Sequence, residues 1–324
     1  MTERKFFYIF PGQGSQYAGM GSDLVAEFPV AAEVFDRASE TAGYDMRELC
    51  FEDPREELGL TRFTQPALLT HEYACMAAFE SLAGPQLQPV LAAGHSLGEY
   101  TALIAGGVLQ FEDALKLVIQ RGILMSEYGR GGMLATTLDL DTAYKLADKH
   151  FCGIGGCNLP DQTVIAGDDS DIDAIVAEMT EKFPRKRAFR LNTEGAFHTY
   201  LMSTAAQKFR DVLKSVQFDK PKIQILSNYT GKLHEGGGDA VRSRLFFQLF
   251  HPVRWVTCMT SAFELGIDTI VEFGGGIGKE PEPQSKRPNL EGIVRKSLKF
   301  SGYDAQYAAA INAKTIREAA EALA

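Results

Sequence analysis

The sequence predicts an α/β fold: a parallel-sheet, α/β-hydrolase-like large subdomain with an inserted ferredoxin-like (βαββαβ) small subdomain. Three observations lead there. Four short apolar runs alternate with helical patterns, the stretch from about 129 to 193 follows a rhythm of its own, and AAGHSLGEY (92–100) sets a lone serine between two glycines straight after an apolar run. With 324 residues, 45% of them hydrophobic, the chain can build a large core.

The runs KFFYIF (5–10), PVLAAG (89–94), KIQILSN (222–228) and DTIVEFG (268–274) lack polar alternation, as expected of strands covered on both faces. Helical periodicity fills 98–106, 112–127 and 200–216, so a ligand site is expected at the C-terminal ends of the strands. In the insert, GMLATTLDL reads as a strand, DTAYKLADKH as a helix opened by Asp141, GIGGCNL and QTVIAG as strands, DIDAIVAEMTEKF as a helix and RKRAFRLN as a strand. Residues 1–128 with 194–324 are assigned to the large subdomain and 129–193 to the small one. EGGG (235–238) and GGGIGKEPEPQSKRP (274–288) read as loops.

A net charge of −9 argues against a general nucleic-acid or anionic-membrane binder, while leaving room for a local basic patch. Five dispersed cysteines, with no C-x-x-C, read as reduced buried thiols, and no metal site is expected. The N-terminal apolar run is too short for a secretory signal and no segment has the length of a membrane span; a cytoplasmic protein is expected.

G-x-S-x-G is the spacing of a nucleophile elbow, in which a strand turns sharply into a helix and exposes one hydroxyl. Ser96 is therefore a candidate nucleophile, and it requires a base. Of six histidines, His95 is expected to support the turn and His71 to sit satisfied in an apolar helix. His150 and His234 fall in polar stretches expected to be exposed, and His251 precedes a proline in a turn. His198 remains, in LNTEGAFHTYL, where the insert hands back to the large subdomain and a cleft is expected.

GHSLG and GAFHT, with FPGQGSQ (10–16), FTQPAL (63–68), QRGILM (120–125), CNLPDQTVIAG (157–167), SNYTG (227–231) and HPVRW (251–255) in order, resemble the malonyl-CoA:acyl-carrier-protein transacylase family over most of the chain. The resemblance implies transfer of malonyl from malonyl-CoA to the phosphopantetheine thiol of an acyl carrier protein, by ping-pong through an acylated Ser96 with His198 as base and then acid. No permanently bound cofactor is implied. The carrier, free or within a polyketide synthase, is the implied partner. The elbow supplies one oxyanion donor, the N–H of Leu97, and the resemblance supplies a second, the N–H of Gln13.

In the family the histidine is oriented by main-chain carbonyls, expected here near Pro252 to Arg254. Arg121, in an apolar helix, demands an anion: the free carboxylate of malonyl by resemblance, or an internal Asp or Glu. Phe197 matches the malonyl-preferring form of the motif, and Gln65, Asn158 and Asn228 are expected to line or brace the cleft. Two departures stand out: Thr199 replaces the usual serine after the histidine, and 274–299 replaces the usual G-P-G-x-V-L-x-G-L segment. That segment carries Lys279, Lys286, Arg287, Arg295, Lys296 and Lys299; with Arg185, Lys186 and Arg187 it offers two basic clusters for an acidic carrier.

Rival readings are an acyl-thioester hydrolase on the same scaffold and transfer of another acyl-CoA extender unit. A nucleotide module fails because Tyr17 occupies the third glycine position of G-x-G-x-x-G. A carrier role fails because GDDSDID places Ser170 or Asp171 at a helix start. The unusual 274–299 segment favours a polyketide over a fatty-acid setting.

Overall fold

The computed structural model describes residues 4–324, the side chain of Pro85 excepted. Strands β1 (Phe6–Phe10), β2 (Pro89–Gly94), β7 (Gln224–Ile225), β8 (Thr269–Phe273) and β9 (Gln306–Ala310) form a parallel sheet in the order β7-β2-β1-β8-β9. β1 is apolar throughout because both its faces are covered. Tyr8 and Phe10 pack with Phe79 of helix Thr61–Ala83 and with Phe273, whereas Phe7 and Ile9 join Trp255 and Met259 of helix Trp255–Glu264.

Strands β3 (Gly132–Thr136), β4 (Gly153–Leu159), β5 (Gln162–Gly167) and β6 (Ala188–Leu191) form the second sheet, antiparallel in the order β4-β5-β3-β6. With helices Leu140–Lys149 and Asp169–Lys182 this is the ferredoxin-like arrangement. One face, Leu134 and Ile165 included, buries against those helices. The opposite face turns Met133 and Val164 toward the cleft. Main-chain bonds between Val253 and Gly155/Cys157 fasten β4 to the large sheet's side of the molecule.

Several local expectations need correction. Only Gln224–Ile225 of the 222–228 run pairs in the sheet; at Leu226 the chain turns into a bridge with Leu233, which frees Asn228 to point back at the elbow. The first helix of the insert is capped by Asp139, whose carboxylate accepts the Thr142 N–H, and not opened by Asp141. Asp168, rather than Ser170 or Asp171, is the N-cap of the second. β9 and helix Ala313–Leu323 add two elements beyond those expected from the sequence; β9 lies at the sheet edge, and the helix opens on a capping box between Asn312 and Thr315. The segment 275–290 folds as a bridged excursion, Ile277 pairing with Arg287 and Gly276 N–H donating to Ser15. Among the described residues no helix is long and apolar enough to cross a membrane, and all five cysteines are buried and free.

Candidate active site

The ends of β1 and β2 lie side by side, Phe10 opposite Gly94, and both chains turn there. A side chain at Gly94 would meet the Gly98 carbonyl carbon at 1.8 Å, and one at Gly98 would meet the Phe10 oxygen at 2.3 Å. Neither glycine has a positive φ; the strain falls on Ser96, at φ 54°. The glycines thus serve close approach, and the serine itself occupies the left-handed region.

His198 also has a positive φ, 64°, and its Nε2 lies 2.7 Å from Ser96 Oγ. Two local anchors fix its loop. Glu194 accepts the Thr61 N–H (2.5 Å) at the start of helix Thr61–Ala83 and the Ser126 hydroxyl (3.2 Å). Thr199 Oγ1 donates to the Ala196 carbonyl (2.7 Å), and its methyl packs near Gly153. The carbonyl facing His198 Nδ1 is that of Gln248, at 2.8 Å, four residues before the segment expected from sequence. The reason is that helix Gly238–Gln248 ends beside the histidine, leaving its last carbonyl free to accept. Burial, then the Arg121 charge, push the His198 imidazole down to about 3 against a smaller raising effect of the Gln248 carbonyl, so at neutral pH it is an unprotonated base.

Arg121, on helix Phe111–Tyr128, is 1% exposed and meets only neutral acceptors. Nη1 donates to Gln65 Oε1 (2.7 Å); Nη2 donates to Ser96 Oγ (3.1 Å) and to Gln248 Oε1 (3.1 Å). Its Nε has no partner, and Tyr100 lies beneath the guanidinium at 5.5 Å. The alternative of a direct internal ion pair is therefore not what the geometry contains: no carboxylate touches Arg121 among the described residues. Such a buried cation is under-compensated, and burial pulls its pKa down.

These groups line one cavity of about 340 Å³. Ser96, His198, Arg121 and Gln65 lie within it together with Phe197 and Asn158, and Leu191, Thr193 and Asn289 are further lining residues. Gln13 and Leu97 also line it, and neither N–H donates to a protein acceptor among the described residues. Asn158 Oδ1 holds His95 Nε2 at 2.9 Å, so His95 braces the elbow against β4. Asn228 does not line the cavity. It braces from behind, accepting the Ser96 N–H (2.6 Å) and donating to the Gly94 carbonyl (2.7 Å).

Residues 7–274 match the model of the acyl transferase domain. The malonyl CoA-acyl carrier protein transacylase of Haemophilus influenzae is 39% identical over 84% of this chain and 89% of its own length. The chain belongs to the malonyl CoA-acyl carrier protein transacylase family. Another relative, the polyketide biosynthesis malonyl CoA-acyl carrier protein transacylase BaeC of Bacillus velezensis, is 37% identical over 83% of this chain and 92% of its own. Among solved structures, a type II PKS acyl-carrier protein in complex with its malonyl-transacylase matches with a TM-score of 0.87 at 32% identity, over 98% of this chain and 99% of that one.

Sequence reasoning missed three members of the site. Gln248 is a polar residue inside an aromatic run, RLFFQLFH, which was its one available signal. Glu99 and His234 form a fully buried pair, Oε1 to Nε2 at 2.8 Å. The expectation that His234 is exposed is thus overturned, because the Leu226–Leu233 bridge folds its loop inward. His71 is the buried, satisfied histidine expected, accepting the Gly275 N–H at 3.0 Å.

Proposed function

We propose that this protein transfers malonyl from malonyl-CoA to the phosphopantetheine thiol of an acyl carrier protein by a ping-pong route through Ser96. The observation that carries the reading is the meeting of Ser96 Oγ, His198 Nε2 and a buried guanidinium without a carboxylate in one cavity. His198 takes the Ser96 proton as the oxygen attacks the thioester carbonyl; the N–H groups of Gln13 and Leu97 receive the oxyanion; the imidazolium then returns the proton to the departing CoA thiolate. In the second half the carrier's thiol, deprotonated by His198, attacks the acyl ester and Ser96 recovers its proton. The Gln248 carbonyl accepts from Nδ1–H, which orients the ring and stabilises its charged form in the transition state. The Arg121 fork binds the malonyl carboxylate, and the Phe197 ring beside the histidine limits substituents at the α-carbon.

The two sheets support a division into residues 1–128 with 194–324 around the parallel sheet and 129–193 around the antiparallel one. A cytoplasmic location, with no resident cofactor, suits this chemistry. Mass spectrometry of the protein mixed with malonyl-CoA and holo-carrier tests the proposal: loaded carrier with a transient malonyl ester on Ser96 is expected. Free malonate with an unloaded carrier would establish the hydrolase reading in its place. Ser96→Ala and His198→Ala are each expected to abolish the ester.

A further inference from the structure

Glu99 lies three residues beyond Ser96, in the first turn of helix Gly98–Ala105, and is wholly buried. Its carboxylate takes three donors from two segments, the bridged turn after β7 and the end of helix Gly238–Gln248. Oε2 accepts the Asn228 N–H (2.9 Å) and Gln248 Nε2 (2.9 Å), while Oε1 accepts His234 Nε2 (2.8 Å). The recipients are telling. Asn228 and Gln248 are the two residues whose side chains hold the main chain of Ser96, through its N–H (2.6 Å) and its C=O (2.8 Å) respectively.

Gln248 does more. Its main-chain oxygen faces His198 Nδ1 and its side-chain Oε1 faces Arg121, so one residue touches all three reacting or binding groups. The carboxamide can serve Arg121 only in one orientation. Turned over, it would aim its N–H at the guanidinium and its oxygen at the Glu99 carboxylate, two repulsions in a dry site. Glu99 therefore fixes the flip of the amide. It also balances the Arg121 charge at one remove, through the amide, without occupying the fork that a substrate carboxylate needs.

His234 completes this arrangement. Without it Oε1 of Glu99 would be a buried anionic oxygen lacking any donor, a costly state that the carboxylate would relieve by leaving its other partners. The main-chain N–H of His234 donates to the Ile225 carbonyl (2.8 Å), which fixes the residue in its turn; the ring Nδ1 has no partner, so Glu99 is the sole bond of the side chain.

We infer that Glu99 and His234 form a positioning pair which, through Gln248 and Asn228, sets the orientation of His198 and Arg121 about Ser96. Neither residue touches the substrate, and the inference rests on the transacylase reading above.

The test uses the full chain as wild type, His234→Leu, His234→Gln and Glu99→Gln, each checked for folding by circular dichroism and a thermal melt. The rate of malonyl and of acetyl ester formation on Ser96 is measured by rapid-quench mass spectrometry. His234→Leu is expected to slow malonyl esterification by about ten- to a hundredfold, the scale of a misplacement of roughly 1 Å. It should do so with little change in KM, and should narrow the malonyl-over-acetyl ratio. His234→Gln, whose amide N–H can reach the same oxygen, should recover most of both. A folded His234→Leu protein with wild-type rate and ratio overturns the inference, as does a His234→Gln protein no better than His234→Leu at equal melting temperature. Should His234→Leu not fold, Glu99→Gln decides: unaltered rate and ratio overturn the pair's role, and a narrowed ratio sustains it. If wild type itself forms no ester, the transfer reading falls and the pair's role with it; if wild type transfers normally and the variants match it, only the pair's role falls.

Discussion

Removal of the Arg121 guanidinium should erase the preference for malonyl over acetyl that the proposed carboxylate clamp confers. In the structure the fork is satisfied by three neutral oxygens, those of Gln65, Gln248 and Ser96, and its Nε by none. A substrate carboxylate would replace neutral acceptors with charged ones in a site only 1% exposed at the arginine. Hydrogen bonds to charged groups contribute about 1.5–3 kcal/mol each, and a bidentate pair about 3–4 kcal/mol net of the neutral bonds it displaces. At about 1.4 kcal/mol per tenfold, Arg121→Ala should lower kcat/KM for malonyl-CoA by roughly 10²–10³. Acetyl-CoA, which lacks the group, should lose only what the Nη2 bond to Ser96 contributes, about tenfold or less. The assay is ester formation from each acyl-CoA at sub-saturating concentration, with Arg121→Lys as a companion that retains charge but not the fork and should fall between. A parallel loss with both substrates, leaving their ratio as in wild type, would refute the carboxylate role and leave Arg121 as a brace for the nucleophile.

Three further outcomes follow from the same geometry. Phe197→Ala, which opens space beside His198, should raise methylmalonyl transfer relative to malonyl by about tenfold, the scale of one methyl group; no rise on direct competition would remove Phe197 from selectivity. Arg287 and Lys296 are exposed, without ion pairs among the described residues, and flank Asn289 and Ile293 of the cavity lining, whereas Lys286 is buried over Tyr17 and Arg295 is paired with Glu291. Reversing both to Glu should raise KM for the carrier several-fold in a salt-sensitive way and leave KM for malonyl-CoA alone; the same reversal at Lys186 and Arg187 is the control for the other cluster, and equal constants throughout would exclude both. Burial holds His198 and His71 down at about 3, so the unfolded chain binds their protons first, and stability present above about pH 6.5 is lost as the pH falls toward 3. Glu272, raised by burial to about 7, acts oppositely: its contribution is full below about pH 4.5 and lost as the pH rises through 7. Glu272→Gln should therefore steepen the fall in melting temperature between pH 7 and pH 5, and an unchanged slope would count against the assignment.

The parts of the site that were legible in the sequence are those whose signal is local. An elbow declares itself in five residues, and an arginine in an apolar helix is anomalous where it stands. The parallel strands were legible for the same reason, since a strand buried on both faces must be apolar throughout. What escaped is whatever depends on a partner far along the chain. Gln248 and Glu99 are 149 residues apart and His234 and Glu99 135, so Glu99 and His234 look, in their own neighbourhoods, like ordinary polar residues, and the aromatic run around Gln248 marks it as unusual without saying what it meets. His234 is followed by Glu235 and three glycines, which is a solvent-facing composition, and only the bridge at Leu226 and Leu233 turns it inward.

This division has a physical basis in the backbone. Ser96 and His198 both sit at positive φ without being glycine, a conformation that costs about 1–2 kcal/mol each and persists only where surrounding structure over-determines it. For Ser96 the surrounding structure is Asn228 on its N–H and Gln248 on its C=O; for His198 it is Gln248 on the ring and the Thr199 hydroxyl on the Ala196 carbonyl just before it. A strained pair cannot be held by its own neighbours alone, because they share the turn being strained. The residues that hold it have to arrive from separate elements, here the ends of β7 and of helix Gly238–Gln248, and Glu99 is where those arrivals are tied together. The reactive groups are therefore written in short motifs, while the constraint that makes them reactive is distributed over the fold.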